Sequence, residues 1–214
     1  MKQEKIFRTP DLEGLPRLYR NNLINSLSGF KSANLLGTAD QQGNANLAVF
    51  NSVVHFGSNP PLLGFVTRPH VVPRHTYENI KSAKYFTINH IHTSFSRAAH
   101  QTSAKYEKQV DEFDLCGFNK YYSDLHAAPY VKESKIKIGL KFESEYLIKE
   151  NATILVLGRI VEVLIDEKLI GEDGFVDLQE ANTATINGLD AYLSTEKIAR
   201  YSYARPNQEI EEIK

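Results

Sequence analysis

Between Leu15 and Leu27 the apolar residues Leu15, Leu18, Tyr19, Leu23 and Leu27 fall at helical spacings, the pattern of one face of a helix. Pro16 suits its first turn and Gly29 its end. The period then changes. Ser32 to Ala39 and Ala45 to Phe56 read as strands, joined by Asp40-Gln41-Gln42-Gly43-Asn44, a connection of hairpin length. Ser58-Asn59-Pro60-Pro61 closes the second strand, because proline brings no amide to a ladder, and Leu62 to Thr67 follows as a third. Arg68 to His75, with two prolines, two arginines and two histidines, predicts a surface loop. Thr76 then precedes a short helix through Ala83, and Tyr85 to Ile91 returns to strand character. Ser94 to Tyr106 is partly helical in pattern, and Val110 to Tyr130 is irregular. In Lys135 to Phe142 the polar and apolar residues alternate, as in a half-buried antiparallel strand. Thr153 to Ile165 is apolar on both faces apart from Arg159 and Glu162, which predicts a central strand covered on both sides. Short strands, few long helices and no strand-helix-strand rhythm argue for a mainly β chain folded as an antiparallel barrel. Residues 1–205 are expected to form a single domain, and the polar, acidic residues 206–214 a mobile tail.

Length and charge narrow the functions open to such a barrel. A chain of 214 residues buries roughly 70% of its extended surface on folding, enough for a core and an enclosed ligand site. With 25 Lys plus Arg against 26 Asp plus Glu, the net charge of −1 offers no general field for nucleic acid or an anionic membrane. An anion must therefore be bound locally. The single cysteine, Cys116, excludes an intramolecular disulfide and fits a reducing compartment. Met1-Lys2-Gln3-Glu4-Lys5 has no apolar run behind it, so no secretory signal is expected. The longest apolar stretch, Ile154 to Ile165, is too short to span a bilayer. The expected location is the cytoplasm.

Several chemistries lack their motifs. No Gly-x-Gly-x-x-Gly follows a strand, and no P-loop or Gly-x-Ser-x-Gly is present. Cys116 reads as a small packed residue. His90-Ile91-His92 places two imidazoles on one face of a strand, with His100 a conceivable third ligand, but no carboxylate stands at ligand spacing and no metal is expected. The densest chemistry lies in Arg68-Pro69-His70-Val71-Val72-Pro73-Arg74-His75-Thr76-Tyr77-Glu78-Asn79. Two arginines bracket a stiff loop that feeds a helix, whose first amides carry partial positive charge. Such a loop suits a phosphate, although Thr76 could equally be a plain N-cap. Asn51 and Ser52 interrupt an otherwise apolar strand, so Asn51 bonds either the protein or a ligand.

Taken in order, Gly37-Thr38, Asn46-Leu47-Ala48, Asn59-Pro60-Pro61, Arg74-His75-Thr76-x-x-Asn79-Ile80 and Thr87-Ile88-Asn89 resemble the flavin reductase-like family of FMN-binding split barrels. Asp111-Glu112-Phe113, Val131-Lys132-Glu133-Ser134 and Gly188-Leu189-Asp190-Ala191-Tyr192 extend the resemblance over about residues 20 to 195. It implies a six-stranded antiparallel split barrel with added helices, a homodimer with FMN near the subunit interface, and hydride transfer from NADH or NADPH. It also implies that the strand carrying Asn46, Leu47, Ala48, Val49, Phe50, Asn51 and Ser52 lines the isoalloxazine and ribityl chain, largely through main-chain groups. The loop carrying Arg74, His75 and Thr76 then holds the phosphate, and Arg68, Asn79 and Asn89 complete the candidate set. The family often has Lys-Asp-Thr where this chain has Arg74-His75-Thr76, and a serine where it has Asn51. A mononucleotide needs one phosphate cradle and an apolar slot, which agrees with the missing dinucleotide fingerprint. No side chain is expected to be an obligatory acid or base, because the flavin carries the chemistry. The alternative is a non-catalytic FMN-binding or electron-transfer module served by a partner protein.

Overall fold

The computed structural model describes residues 4–213. The expectations placed on Met1 to Gln3 and on Lys214 lie outside them. The main sheet has seven strands: β1 (Asn34–Ala39), β2 (Ala45–Phe50), β3 (Val54–Ser58), β4 (Pro61–Thr67), β5 (Tyr85–His90), β6 (Ile136–Ile148) and β7 (Thr153–Ile165). Their order is β2-β1-β5-β6-β7-β4-β3, antiparallel throughout. The two edge strands, β2 and β3, are consecutive in the chain, so the sheet curls until its edges come together at residues 51–53. The result is a split barrel.

Six strands were expected, and the seventh comes from one interruption. The run from Ala45 to Phe56 is not a single strand but breaks at Asn51, Ser52 and Val53. The Ser52 hydroxyl donates to the Val66 carbonyl (2.9 Å) and accepts from the Val66 amide (3.2 Å). Asn51 donates to the Gly188 carbonyl at 2.8 Å. Two polar side chains thus bond main chain elsewhere, and the ladder yields at that point.

The strand buried on both faces is β1, not β7. Leu36 faces a barrel interior with Phe65, Phe86, Ile88, Leu140 and Val156, while its neighbour Leu35 faces an outer cluster with Leu47, Ile91, Phe113, Phe118 and Val131. β7 lies centrally between β6 and β4, but its far half is open, with Val163 53% exposed. The covering layer, built from the partly helical segment 94–106 and the irregular segment 110–130, packs on β1, β2 and β5 and leaves that half of β7 bare. The layer holds two short helices, Ser96–Gln101 and Glu112–Cys116. Two glycines admit it to the sheet. A Cβ on Gly37 would stand 2.1 Å from the Pro129 carbonyl oxygen, and one on Gly139 2.2 Å from the Tyr130 hydroxyl.

The helix expected from Leu15 runs from Arg17 to Leu27, preceded by a shorter one, Thr9–Gly14, and none of its residues is buried. Lys31–Ser32 pairs with Thr185–Asn187, which pairs with Ala191–Leu193 in a small separate sheet. Residues 212–213 pair with 200–201. Among the described residues no helix is long and apolar enough to cross a membrane.

Candidate functional site

The loop after β4 delivers the chain to a helix, His75–Ala83, with Arg74 at its N-cap position. Thr76 is therefore inside the first turn and is not the cap. Glu78 reaches back instead: its carboxylate accepts from the Arg74 amide at 3.1 Å and contacts His70 Nε2 at 3.0 Å. The His70 contact, followed by the Arg74 amide, holds the Glu78 carboxyl below the usual carboxylate range despite some desolvation. The turn is thus held by its own residues, leaving the Arg74 side chain for another task. Its Nε is buried and has no hydrogen-bond partner among the described residues. A buried N–H left unpaired costs about 1 to 3 kcal/mol, a cost that an acceptor placed at Arg74 Nε would remove.

Beside it, the Thr76 hydroxyl accepts a 3.0 Å bond from Asn46 Nδ2. That bond ties the helix to β2 and leaves the Thr76 O–H to donate. Asn79, on the same helix, donates to Thr38 Oγ1 at 3.2 Å and fixes the helix on β1. His75 is half-buried at the first helical position. Arg68 is exposed one residue beyond β4, and among the described residues no ion pair engages it.

β2 pairs on one side only, with β1. The outward Leu47 amide is taken by Glu112 Oε2 at 3.1 Å, a bond between residues 65 apart. Glu112 is only 6% exposed. Burial pushes its carboxyl up, against the Leu47 bond and the pull of His75. Along β2 the burial changes: Ala45 to Leu47 are buried, whereas Ala48, Val49 and Phe50 are half-buried, as are Asn51, Ser52 and Val53 after them. The partly open stretch is apolar except where Asn51 and Ser52 have spent their donors on Gly188 and Val66. A half-buried, largely apolar segment of an edge strand, tied through Asn46 and Thr76 to the helix that Arg74 heads, can receive a planar ring bearing a phosphate arm.

Asn89 does not join this group. Its Nδ2 donates to the Leu35 carbonyl and Thr87 Oγ1, its Oδ1 accepts from the Val131 amide, and it is fully buried. It fastens the covering layer to the sheet. The histidines His90, His92 and His100 do not converge either: His92 Nδ1 contacts Ser94 and His100 Nδ1 contacts the Tyr192 hydroxyl. Burial keeps His90 neutral, down to about 4. Among the described residues no group of three His, Cys, Asp or Glu is placed to hold a metal. The reading from residues alone missed Glu112 and Glu78. The only sequence signal for Glu112 was its place in Asp111-Glu112-Phe113, where Asp111 caps a helix by accepting from Phe113 N at 3.0 Å.

A profile of the flavin reductase like domain matches residues 27–180. Among solved structures, the chain is similar to a proposed flavin reductase with split barrel domain from Shewanella frigidimarina NCIMB 400, at 45% identity over 94% of this chain and 100% of that one (TM-score 0.90). It is similar in fold to 2-nitrobenzoate 2-nitroreductase of Pseudomonas fluorescens, at 19% identity over 96% and 99% of the two chains (TM-score 0.80). It is also similar in fold to an FMN-binding protein from Thermus thermophilus, at 16% identity over 94% and 100% (TM-score 0.69). No curated protein matches the sequence significantly.

Proposed function

Because the chain belongs to the flavin reductase-like domain family, we propose that it is an FMN-binding oxidoreductase of the cytoplasm that takes a hydride from NADH or NADPH and passes electrons to an acceptor. The observation that carries FMN is the buried, unpartnered Nε of Arg74 at the head of the His75–Ala83 helix. It supplies one cradle for one phosphate, the number a mononucleotide brings. The residues fit that group. Arg74 offers a planar fork, Thr76 an O–H donor, and the helix start its partial positive charge. Arg68 and His75 add positive charge or hydrogen-bond donors from the same loop, and Asn79 holds the helix in place. The main chain of Asn46 to Ser52 lines the slot, with the half-buried Ala48, Val49 and Phe50 making its edge apolar.

When bound, FMN supplies the capacity to accept a hydride and release electrons. The protein's part is to orient the ring and keep water from it. Phe50 packs edge-on against Phe65 at 5.0 Å between centroids, and Phe65 against Phe86 at 5.7 Å, so the apolar edge is backed by rigid aromatic packing. Glu112 and Ser52 hold the two ends of the lining segment by their bonds to Leu47 and Val66. The exposed apolar residues of the Arg17–Leu27 helix support the further proposal of a homodimer.

The experiment is the visible spectrum of FMN-reconstituted, desalted protein before and after anaerobic addition of NADH or NADPH. Retained flavin that bleaches is the expected result. Retained flavin that stays oxidised with both nicotinamides overturns the reductase activity in favour of a module reduced by a partner protein, and no retained flavin overturns tight FMN binding.

A further inference from the structure

Away from β2 the outer face of the sheet carries a second hollow, of about 400 Å³, at the margin of the covering layer. Its charged side is built by one short stretch: Lys132, Lys135 and Lys137 all line it. Its other side is apolar, made by Leu164, Ile165 and the ring of Tyr121. Lys137 on β6 is in register with Asn89 and Leu164, Asn89 with Leu35, and Leu35 with Val49. The hollow is therefore three strand spacings from β2 along the sheet, roughly 14 Å, and distinct from the proposed flavin slot.

The charges there are unbalanced. Among the described residues none of the three lysines forms an ion pair. The Lys137 ammonium donates to the Ser134 carbonyl at 2.6 Å, and desolvation pulls its pKa down. Lys135 reaches only the Glu180 carbonyl, at 3.5 Å. Two carboxylates stand nearby, Glu133, whose charge acts on Lys137, and Asp166, so the lysines exceed them by one. Glu133 accepts from the Asn119 amide and side chain, and Asp166, on the rim, accepts from the Lys168 amide. Three lysine charges against two carboxylates leave an excess positive charge that an anion would offset. Lysine ammoniums bind phosphates as point charges. The volume falls in the range of about 300 to 1,000 Å³ typical of small-molecule sites.

We propose that this hollow is a second ligand site for a nucleotide-sized, phosphate-bearing molecule, its phosphates among Lys132, Lys135 and Lys137 and its ring on Tyr121, Leu164 and Ile165. The proposal stands apart from the flavin reading and can fail without it. The test is calorimetric titration of the full chain with ADP, and separately with inorganic pyrophosphate, at low and moderate salt. Lys132→Glu and Lys135→Glu are the informative variants, since both side chains are exposed and neither supports the core. Arg74→Ala serves as the control for binding in the first cradle. Expected are saturable ADP binding that weakens with salt, a loss of roughly tenfold or more in each lysine variant, little change in Arg74→Ala, and weaker binding of pyrophosphate than of ADP. Absence of binding at millimolar ADP, or binding lost in Arg74→Ala but kept in both lysine variants, overturns the site. Equal affinity for pyrophosphate and ADP overturns the role of the apolar wall.

Discussion

Two side chains dominate the residue scale because each holds a buried polar atom with an unusual balance of partners among the described residues. Arg74 has a donor without an acceptor. Its replacement by alanine is expected to weaken FMN binding by roughly 10- to 100-fold, about 1.4 to 2.8 kcal/mol, in a protein that remains folded. Fluorescence titration of FMN checks this, and unchanged affinity would show that the loop does not hold the phosphate. Glu112 is the converse case, an acceptor whose ionised form is penalised by burial while it serves the Leu47 amide. A carboxyl raised on folding contributes stability that is complete below its unfolded pKa and is lost as pH rises through its folded one. Glu112→Gln keeps the acceptor and removes the charge, so its stability is expected to fall less than the wild type's as pH rises from about 4 to 8. Glu112→Ala leaves the Leu47 amide bare and is expected to cost about 1 to 3 kcal/mol. Denaturant unfolding across that pH range distinguishes the two, and parallel pH profiles for wild type and the glutamine variant would remove the role given to its charge.

Among the elements, the join between covering layer and sheet is the most constrained. Thr87 donates to the Pro129 carbonyl at 2.7 Å, and Asn89 takes the Val131 amide at 2.9 Å. These bonds bring the Pro129 main chain so close to β1 that only glycine fits at 37, and the Tyr130 and His126 side chains crowd position 139 on β6 in the same way. Gly37→Ala sets a methyl against a backbone carbonyl, which no side-chain rotation relieves. It is expected to destabilise the fold by at least about 2 to 3 kcal/mol. Gly43→Ala, where a Cβ meets nothing within 4 Å, is the comparison, its cost arising from its positive φ of 86° rather than from contact. Thermal melts of both variants measure the difference, and a Gly37→Ala protein as stable as the wild type would show that the layer can lift from the sheet.

For the molecule as a whole, the Arg17–Leu27 helix is the conspicuous element. Leu18 is 75% and Leu27 71% exposed, although their spacing is that of a core-facing helix. A helix that buries no residue of its own gains little from tertiary packing, which ordinarily supplies most helical stability. A second copy of the chain would cover it, in line with the proposed homodimer. Sedimentation equilibrium is expected to give twice the chain mass, and Leu18→Glu combined with Leu27→Glu is expected to give the monomer with reduced flavin retention. A monomeric wild type at micromolar concentration would end that reading.

Alternation and turn chemistry by themselves determined most of the strands, the hairpin at residues 40–44, the short helix after the arginine loop and the mainly β class, because each depends on neighbours within a few residues. The order of short motifs determined the family. Only the tertiary structure decided where the run from Ala45 to Phe56 breaks, because its causes are bonds from Asn51 to Gly188, 137 residues away, and from Ser52 to Val66. The same is true of Glu112 on Leu47, of the bonds by which Asn89 fastens the covering layer to the sheet, and of β1 rather than β7 as the doubly covered strand. Local pattern records which residues can be buried and at what period. Which polar atom meets which, and which strand face receives a covering layer, depends on segments far apart in sequence whose contact leaves no periodic trace.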